Sequence, residues 1–344
     1  MKVFVGLSGG VDSSVAAALL AEQGYDVIGV YMKNWSKSVA GHHCPWKEDL
    51  ASARSVAAHL RIPLKVYDFE KQYFEAVTNY MVDAYKKGIT PNPDVMCNQE
   101  IKFKVFLEKC LEEGAEAIAT GHYAVMEDGS MKIAADPSKD QTYFLYRMNP
   151  EVATKVIFPL GNYKKSEVRK LAKKHNLPTA SRPDSMGLCF VGNVPMKDFL
   201  GEFIRSEKGE IIDDSGNHVG SHLGAFAYTI GQRHGLNIGG GKPYFVYKID
   251  TLENIVFVTT DENSKLLNKS EFEIDDCVWW QNPERLKNLK VKVRYRSEAI
   301  ECRITNSKNS KYLVALSKKE RAITPGQSAV FYMDDLVIGG GIIL

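Results

Sequence analysis

Through its first 120 residues the chain alternates short apolar runs with segments of helical period. Val3-Phe4-Val5-Gly6-Leu7 predicts a buried strand, and Val15 to Ala21 predicts the helix that follows it. The unbroken run Val27-Ile28-Gly29-Val30-Tyr31-Met32 suits a central parallel strand, covered on both faces. A helix is expected over about 48–60, where Leu50, Ala53, Ala57 and Leu60 share a face, and a third strand over 64–68. A long amphipathic helix over about 71–86, a Pro-rich loop over 88–97, a helix over 99–112 and a fourth strand over 115–120 complete this part. Such alternation predicts an α/β fold: a doubly wound parallel sheet with helices on both faces and ligands beyond the carboxyl ends of its strands. From about Asn149 the pattern turns helical, most clearly over 164–175. Beyond Gly209 period-two runs are separated by Asp-Asp-Ser-Gly, Asn-Ile-Gly-Gly-Gly and Asp-Glu-Asn-Ser, the chemistry of hairpins. The expected division is an α/β domain over 1–205, a small central linker domain over 206–268 and a C-terminal β-barrel over 269–344.

At the first strand-to-helix junction stands Ser8-Gly9-Gly10-Val11-Asp12-Ser13-Ser14. Two glycines let the backbone approach a ligand closely, and the hydroxyls of Ser8, Ser13 and Ser14 join free N–H groups at a helix start. That combination makes a socket for phosphate oxygens. No lysine follows as in a Walker A loop, and the spacing is not Gly-x-Gly-x-x-Gly. The run resembles the PP-loop of ATP pyrophosphatases, which cleave ATP between the α and β phosphates and adenylate a substrate oxygen.

The 344 residues suffice for two or three domains, and 44% hydrophobic with 25% charged residues is the balance of a soluble globular protein. No apolar run approaches the ~20 residues of a membrane span, and the start lacks the form of a signal peptide. The formal net charge of +2 is unevenly spread. Between Glu284 and Arg321 twelve Lys/Arg face four Glu, so this window carries +8 and the rest about −6. A polyanion can dock on such a surface. Six scattered cysteines in a chain this long suggest a reducing, cytoplasmic setting rather than a disulfide framework. Nothing along the chain marks a dimer interface, so a monomer is expected.

Two cysteines stand out by context. Cys97 follows the Pro-bounded loop Pro91-Asn92-Pro93-Asp94-Val95-Met96 and precedes the 99–112 helix, with Asn98 expected as its N-cap. A thiol at a helix N-terminus is biased toward thiolate. Asp94, three residues earlier, is placed to act as a general acid or base, although its charge opposes thiolate formation. Cys189 lies far away, in Met186-Gly187-Leu188-Cys189-Phe190. His42-His43-Cys44 reads as loop, since three adjacent residues do not converge easily on one tetrahedral metal. Cys110, Cys277 and Cys302 read as packing residues, and the chain has no Cys-x-x-Cys pair.

Further motifs extend along the whole chain: Asn92-Pro93-Asp94…Cys97-Asn98, Thr120-Gly121-His122-Tyr123-Ala124, Asp140-Gln141-Thr142-Tyr143-Phe144-Leu145, Phe158-Pro159-Leu160-Gly161, Leu188-Cys189-Phe190, Tyr228-Thr229-Ile230-Gly231-Gln232-Arg233, Val293-Arg294-Tyr295-Arg296 and Thr324-Pro325-Gly326-Gln327. Together with Ser8 to Ser13 they resemble the tRNA-specific 2-thiouridylase family. The resemblance implies adenylation by ATP, with Mg²⁺, of the C2 oxygen of the wobble uridine in Lys, Glu and Gln tRNAs, then its replacement by sulfur. It implies a persulfide on Cys189, Cys97 as nucleophile, Asp94 as acid/base residue and a transient Cys97–Cys189 disulfide. For ATP it points to Gly6, Leu7, Ser8, Gly9, Gly10, Val11, Asp12, Ser13, Met32 and Gly121. For tRNA it points to Asn92, Pro93 and Asp94 at the target base, to His122, Lys139, Asp140 and Gln141, and in the barrel to Arg294, Tyr295 and Gln327. A sulfur donor, either a cysteine desulfurase or a carrier protein, is the second implied partner. Arg294-Tyr295-Arg296 falls within the basic window and pairs cations for phosphate with a ring on which an unpaired base stacks. The rival readings are another PP-loop ligase or amidotransferase, an iron–sulfur-dependent tRNA thiolase, and a non-enzymatic tRNA-binding protein.

Overall fold

The computed structural model describes residues 1–184, 191–192, 194–239, 241–307 and 310–344, so Cys189 lies outside the described residues. The chain forms two compact units: 1–78 with 93–194 and 334–338, and 79–92 with 195–333 and 339–344.

The first unit is built on a parallel sheet of β1 (Lys2–Gly6), β2 (Asp26–Lys33), β3 (Leu64–Asp68), β4 (Ala117–Ala119) and an edge strand Val156–Ile157. Their order is β3-β2-β1-β4-edge, and every pairing is parallel. Side-chain alternation along β1 divides the layers. Val3, Val5 and Leu7 pack with Ala17 and Leu20 of helix α1 (Val11–Glu22) and with Ala53, Val56 and Ala57 of α2 (Trp46–Leu60). Gly6 faces the opposite layer, where an added Cβ would lie 3.8 Å from the Phe106 ring. Helices therefore cover both faces, the doubly wound arrangement expected from the alternation. Helix α1 is apolar nearly all round because both its sides are covered, the second by Leu160, Val168 and Ala172.

Two helical stretches depart from the sequence expectation. The 71–86 helix contains a π-helical segment, Phe74–Thr78, between Glu70–Tyr73 and Asn79–Lys86. The expected loop before Cys97 is shorter, because helix begins at Pro93 (Pro93–Met96), continues as a π-helix over Cys97–Val105 and ends as Phe106–Glu112. Asn98 is consequently no N-cap, and its Nδ2 donates to the Phe144 carbonyl at 3.0 Å. Proline needs no N–H partner at a first helical position, so Asn92-Pro93 is itself a helix-start signal.

In the second unit a four-stranded sheet takes the order Phe245–Asp250, Ile255–Thr259, Lys208–Asp213, His218–Leu223. Ile211, Val246, Val256 and Val258 form its core. The C-terminal strands close into a six-stranded barrel in the order Asn268–Trp279, Tyr312–Arg321, Ile300–Asn306, Lys290–Lys292, Ser328–Met333, Leu336–Ile343. Closure comes from pairing of the first with the last, through Ile274–Ile343 and Val278–Gly340. The short Lys290–Lys292 strand ends before Arg294, so Arg294 and Tyr295 stand in the following turn rather than within a strand. Among the described residues no helix is long and apolar enough to cross a membrane.

Ile118 is fully buried in β4, one strand from the centre of the parallel sheet. Ile118→Ala is expected to destabilise the first unit by about 2–5 kcal/mol through lost burial and the cavity it leaves. Urea unfolding followed by circular dichroism reads the shift.

Candidate active site

The junction after β1 is a compact, self-bonded turn. Gly9 has φ +79°, where an added Cβ would lie 2.4 Å from the Asp49 carbonyl oxygen, so only glycine fits. Ser13 Oγ accepts from Ser8 N at 3.2 Å and donates to the Gly10 carbonyl at 3.2 Å, and Ser14 Oγ donates to the same carbonyl at 2.7 Å. Leu7 and Val11 turn their side chains into the core, leaving backbone to line the turn, while the Ser8 side chain is exposed. Gly121, just past β4, comes against the start of α1, where a Cβ would lie 2.6 Å from Ser13 N. Met32 reaches back to β1, its Cε 3.2 Å from a Cβ built on Gly6. The fold therefore gathers Gly6, Met32, Gly121 and Ser13, all expected at ATP, around one sheet end.

A network of cations and carboxylates borders this turn, and the sequence reading did not find it. Lys165, at the start of the helix Lys165–Lys174, donates to both Asp12 oxygens at 2.8 and 2.7 Å and reaches Asp184 Oδ1 at 2.9 Å. Its side chain is 14% exposed. Asp184 also accepts from Lys139 at 2.9 Å and Arg169 at 2.5 Å. Burial by itself would raise the Asp184 pKa, but hydrogen bonds from Lys165 and Lys139 hold it far below the ordinary carboxylate range. The Tyr123 hydroxyl donates to Asp12 at 2.8 Å, and burial together with the Asp12 charge pushes its pKa up. On the other side Arg182 donates to the Gly9 carbonyl at 2.7 Å and pairs with Asp49, and Ser52 Oγ donates to that carbonyl at 2.9 Å. One signal pointed to Lys165: lysines at 164 and 165 open a helix at its positive end, an unfavourable choice unless another demand outweighs it.

Cys97 is fully buried and opens the π-helical stretch. Asp94 lies three residues earlier within the same helical run, and the two therefore share a face. Cys97 is thus one turn inside a helix instead of at its terminus, which weakens the dipole contribution expected for it. Short π segments recur at functional sites because they re-aim a few side chains within an otherwise regular helix. His122 is buried; its Nδ1 is 2.8 Å from Thr120 Oγ1 and its Nε2 is 3.3 Å from Lys102 Nζ. Asp140 accepts from Ala134 N at 3.0 Å and Thr142 Oγ1 at 2.7 Å, and Gln141 Oε1 accepts from Tyr123 N at 2.9 Å. Both side chains shape the strap that carries Lys139.

In the second unit Gln327 Nε2 donates to the carbonyls of Thr90 and Pro91 at 3.1 and 3.2 Å. This fixes the backbone just ahead of Asn92, itself buried and counted with this unit. Arg294 pairs with Glu320 at 2.5 Å, and the Arg296 guanidinium lies over the Tyr295 ring at 5.3 Å.

A glycine–serine phosphate turn on a parallel α/β sheet, followed by two β modules, is the construction of a PP-loop enzyme with appended β domains. Family models described as "tRNA methyl transferase HUP domain", "tRNA methyl transferase PRC-barrel domain" and "Aminomethyltransferase beta-barrel domain" match residues 1–193, 197–260 and 269–343. The tRNA-specific 2-thiouridylase MnmA of Francisella tularensis subsp. novicida (strain U112) is 44% identical, covering 100% of this chain and 99% of its own. That of Francisella tularensis subsp. tularensis (strain WY96-3418) is 43% identical over the same shares. The chain belongs to the tRNA-specific 2-thiouridylase family, whose members are tRNA sulfurtransferases. A solved 4-thiouridine synthetase–RNA complex with bound ATP is 19% identical and covers 56% of this chain and 46% of its own, with a TM-score of 0.37.

Gly121→Ala forces a methyl group onto the Ser13 amide, a misfit of about 1–3 kcal/mol. ATP binding measured by titration calorimetry is expected to weaken about tenfold. Asp184→Asn tests the cation network through its pH dependence. The folded-state pKa is depressed, so this carboxylate's contribution is present above its unfolded-state value of about 3.9 and is lost as pH falls below it. The variant should melt below the parent at neutral pH, and the gap should narrow only below about pH 4. A gap constant from pH 7 to 3 would assign the loss to packing.

Proposed function

We propose that this protein carries out ATP-dependent 2-thiolation of the wobble uridine in the Lys, Glu and Gln tRNAs. What carries the reading is the pairing of an open phosphate turn at Ser8–Ser14 with the Cys97 turn in one α/β unit of a chain that matches a named 2-thiouridylase along its whole length.

The chemistry accounts for the residue types. A uracil carbonyl oxygen is a poor leaving group, and adenylation makes it part of AMP, with pyrophosphate released. The Ser8–Ser13 turn would cradle the phosphates by its N–H groups and hydroxyls, with Met32 and Gly6 on the adenine side and Gly121 closing against α1. Mg²⁺ would neutralise the charge of the ATP phosphates, and Asp12, the loop's own carboxylate, is the residue that would hold it. Asn92, Pro93 and Asp94 would hold the target base, with Asp94 moving the proton. Sulfur arrives from a donor, a cysteine desulfurase or a carrier protein, as a persulfide on Cys189. The Cys97 thiolate then follows one of two routes. It attacks C2 and expels AMP, the outer persulfide sulfur displaces Cys97 from C2, and the freed thiolate bonds to the Cys189 sulfur and releases 2-thiouridine. Or it attacks the inner sulfur of the persulfide and expels hydrosulfide, which displaces AMP. Both routes leave a Cys97–Cys189 disulfide for an external reductant.

Lys139, Asp140, Gln141 and His122 would contact or shape the tRNA path, and Arg294, Tyr295 and Gln327 would do so from the barrel. The domain limits 1–205, 206–268 and 269–344, a cytoplasmic location and a monomeric state belong to the same proposal.

Mass spectrometry of the wobble nucleoside tests it. Undermodified tRNA-Glu incubated with the protein, ATP, Mg²⁺ and sulfide should gain one sulfur for one oxygen. If Cys97 attacks C2 itself, Cys97→Ala should reduce this by about a thousandfold or more, as loss of a nucleophile does; if Cys97 only releases hydrosulfide, free sulfide should spare the variant. Cys189→Ala should recover with free sulfide. ATP cleavage without sulfur incorporation would refute the substrate.

A further inference from the structure

We propose that Tyr123 is a positioning residue for the use of ATP: its hydroxyl fixes the Asp12 carboxylate in the orientation that holds the cation of the bound nucleotide. The inference rests on the reading of Asp12 given above, and it assigns a task to a side chain that the family resemblance left without one.

Asp12 stands in the first turn of α1, and its side chain is 30% exposed. Two donors from distant parts of the chain meet it. Tyr123 Oη donates to Oδ1 at 2.8 Å, and Lys165 Nζ donates to Oδ1 and Oδ2 at 2.8 and 2.7 Å. A carboxylate only accepts, so the phenol proton points at Asp12. The ammonium on both oxygens is a stand-in for a cation at this carboxylate, and oxygen ligands are what Mg²⁺ takes. Lys165 has a second anion, Asp184 Oδ1 at 2.9 Å, and so does not depend on Asp12 for a partner. Tyr123 is the donor that stays with Asp12 when another cation arrives.

The surroundings of Tyr123 fix that hydroxyl in place. Its side chain is 2% exposed and packs in the cluster that contains Val11, Val15 and Leu19 of α1 with Leu160. One residue clamps its backbone: Tyr123 N donates to Gln141 Oε1, and Gln141 N donates to the Tyr123 carbonyl, both at 2.9 Å. The Lys165 ammonium lies 5.8 Å from the ring centroid, within reach of the π face. A ring locked by packing, on a backbone locked by hydrogen bonds, delivers its hydroxyl to one point. The carboxylate that accepts from it is held to match.

Orientation matters because the turn supplies so little else. Among the described residues no group of three or more His, Cys, Asp or Glu assembles to hold a metal. In such sites Mg²⁺ takes one or two carboxylates and completes its octahedron with phosphate oxygens and water. The direction of the Asp12 oxygens then decides the fit, and partners that orient a ligand are worth about tenfold or more in metal affinity.

The test uses the full chain, α,β-methylene-ATP, whose bridge resists cleavage, and Mn²⁺ as the paramagnetic substitute for Mg²⁺. Electron paramagnetic resonance reads Mn²⁺ affinity for the protein–nucleotide complex, and calorimetry in EDTA reads nucleotide affinity alone. Tyr123→Phe, which keeps the core ring, should weaken Mn²⁺ about tenfold and leave metal-free affinity within about twofold. Asp12→Asn should weaken Mn²⁺ at least as much, and the double variant should fall no further, since Tyr123 acts through Asp12. Unchanged Mn²⁺ affinity in a folded Tyr123→Phe overturns the proposal. So does equal loss with and without metal, which would leave Tyr123 a packing role, and so does a double variant in which the two losses multiply. A wild-type complex that holds Mn²⁺ no more tightly than free α,β-methylene-ATP overturns the reading of Asp12 itself, and that result appears before any substitution is made.

Discussion

One ammonium ties the glycine–serine turn after β1 to its charged border. Lys165 bonds to both oxygens of Asp12 in the Ser8–Ser14 turn and to Asp184, which also holds Lys139 and Arg169. Three cations and two carboxylates in one partly buried cluster would be costly if any member were left unpaired, so each fixes the others. The arrangement also suits an anionic ligand. Donors already oriented toward carboxylates can be offered to phosphate with little rearrangement, which is the form electrostatic preorganisation takes. Arg182, held between the Gly9 carbonyl and Asp49, does the same for the backbone of the turn.

The helical run over 93–112 has a different task. It packs on the sheet through Phe106 and Ile101, yet its middle turns are wound as a π-helix from Cys97 onward. A regular α-helix would set side chains every 100°, whereas the wider turn rotates Cys97, Asn98 and Lys102 to other directions. Asn98 bonds to the Phe144 carbonyl and Gln99 to Arg147, so the wide turn is held by partners from the segment that follows Gln141. Packing thus holds the thiol in the core, and polar partners from the segment after Gln141 hold the wide turn that carries it.

In the second unit the turn Thr324-Pro325-Gly326-Gln327 performs a comparable service. Gly326 has φ +89°, and Gln327 donates to two successive carbonyls at Thr90 and Pro91. A barrel residue thereby sets the backbone leading to Asn92, a residue 235 positions earlier by number. Family resemblance alone singled out Gln327 in the sequence, and nothing local there links it to that loop.

Read alone, the residues establish the parallel strands, since continuous apolar runs at 3–7 and 27–32 suit strands covered on both faces. The hairpin chemistry after Gly209 did not foretell that Ile255–Thr259 pairs in parallel with Lys208–Asp213, which takes a crossover. The hydroxyl bonds of the Ser8–Ser14 turn are local and could be expected from its residues, whereas the crowding that demands glycine at position 9 comes from Asp49. Local signals misplaced the start of the Cys97 helix, where Asn92-Pro93 looked like loop although it begins a helix. That Lys165, Asp184 and Arg182 surround that turn, and that Lys102 meets His122, is settled by the folded chain. These contacts join residues 20 to more than 170 positions apart, and no periodicity encodes which charge meets which. Lys165 and Lys102 have the same composition and helical setting as many solvated lysines; burial beside a chosen partner is what distinguishes them, and burial is a property of the folded chain.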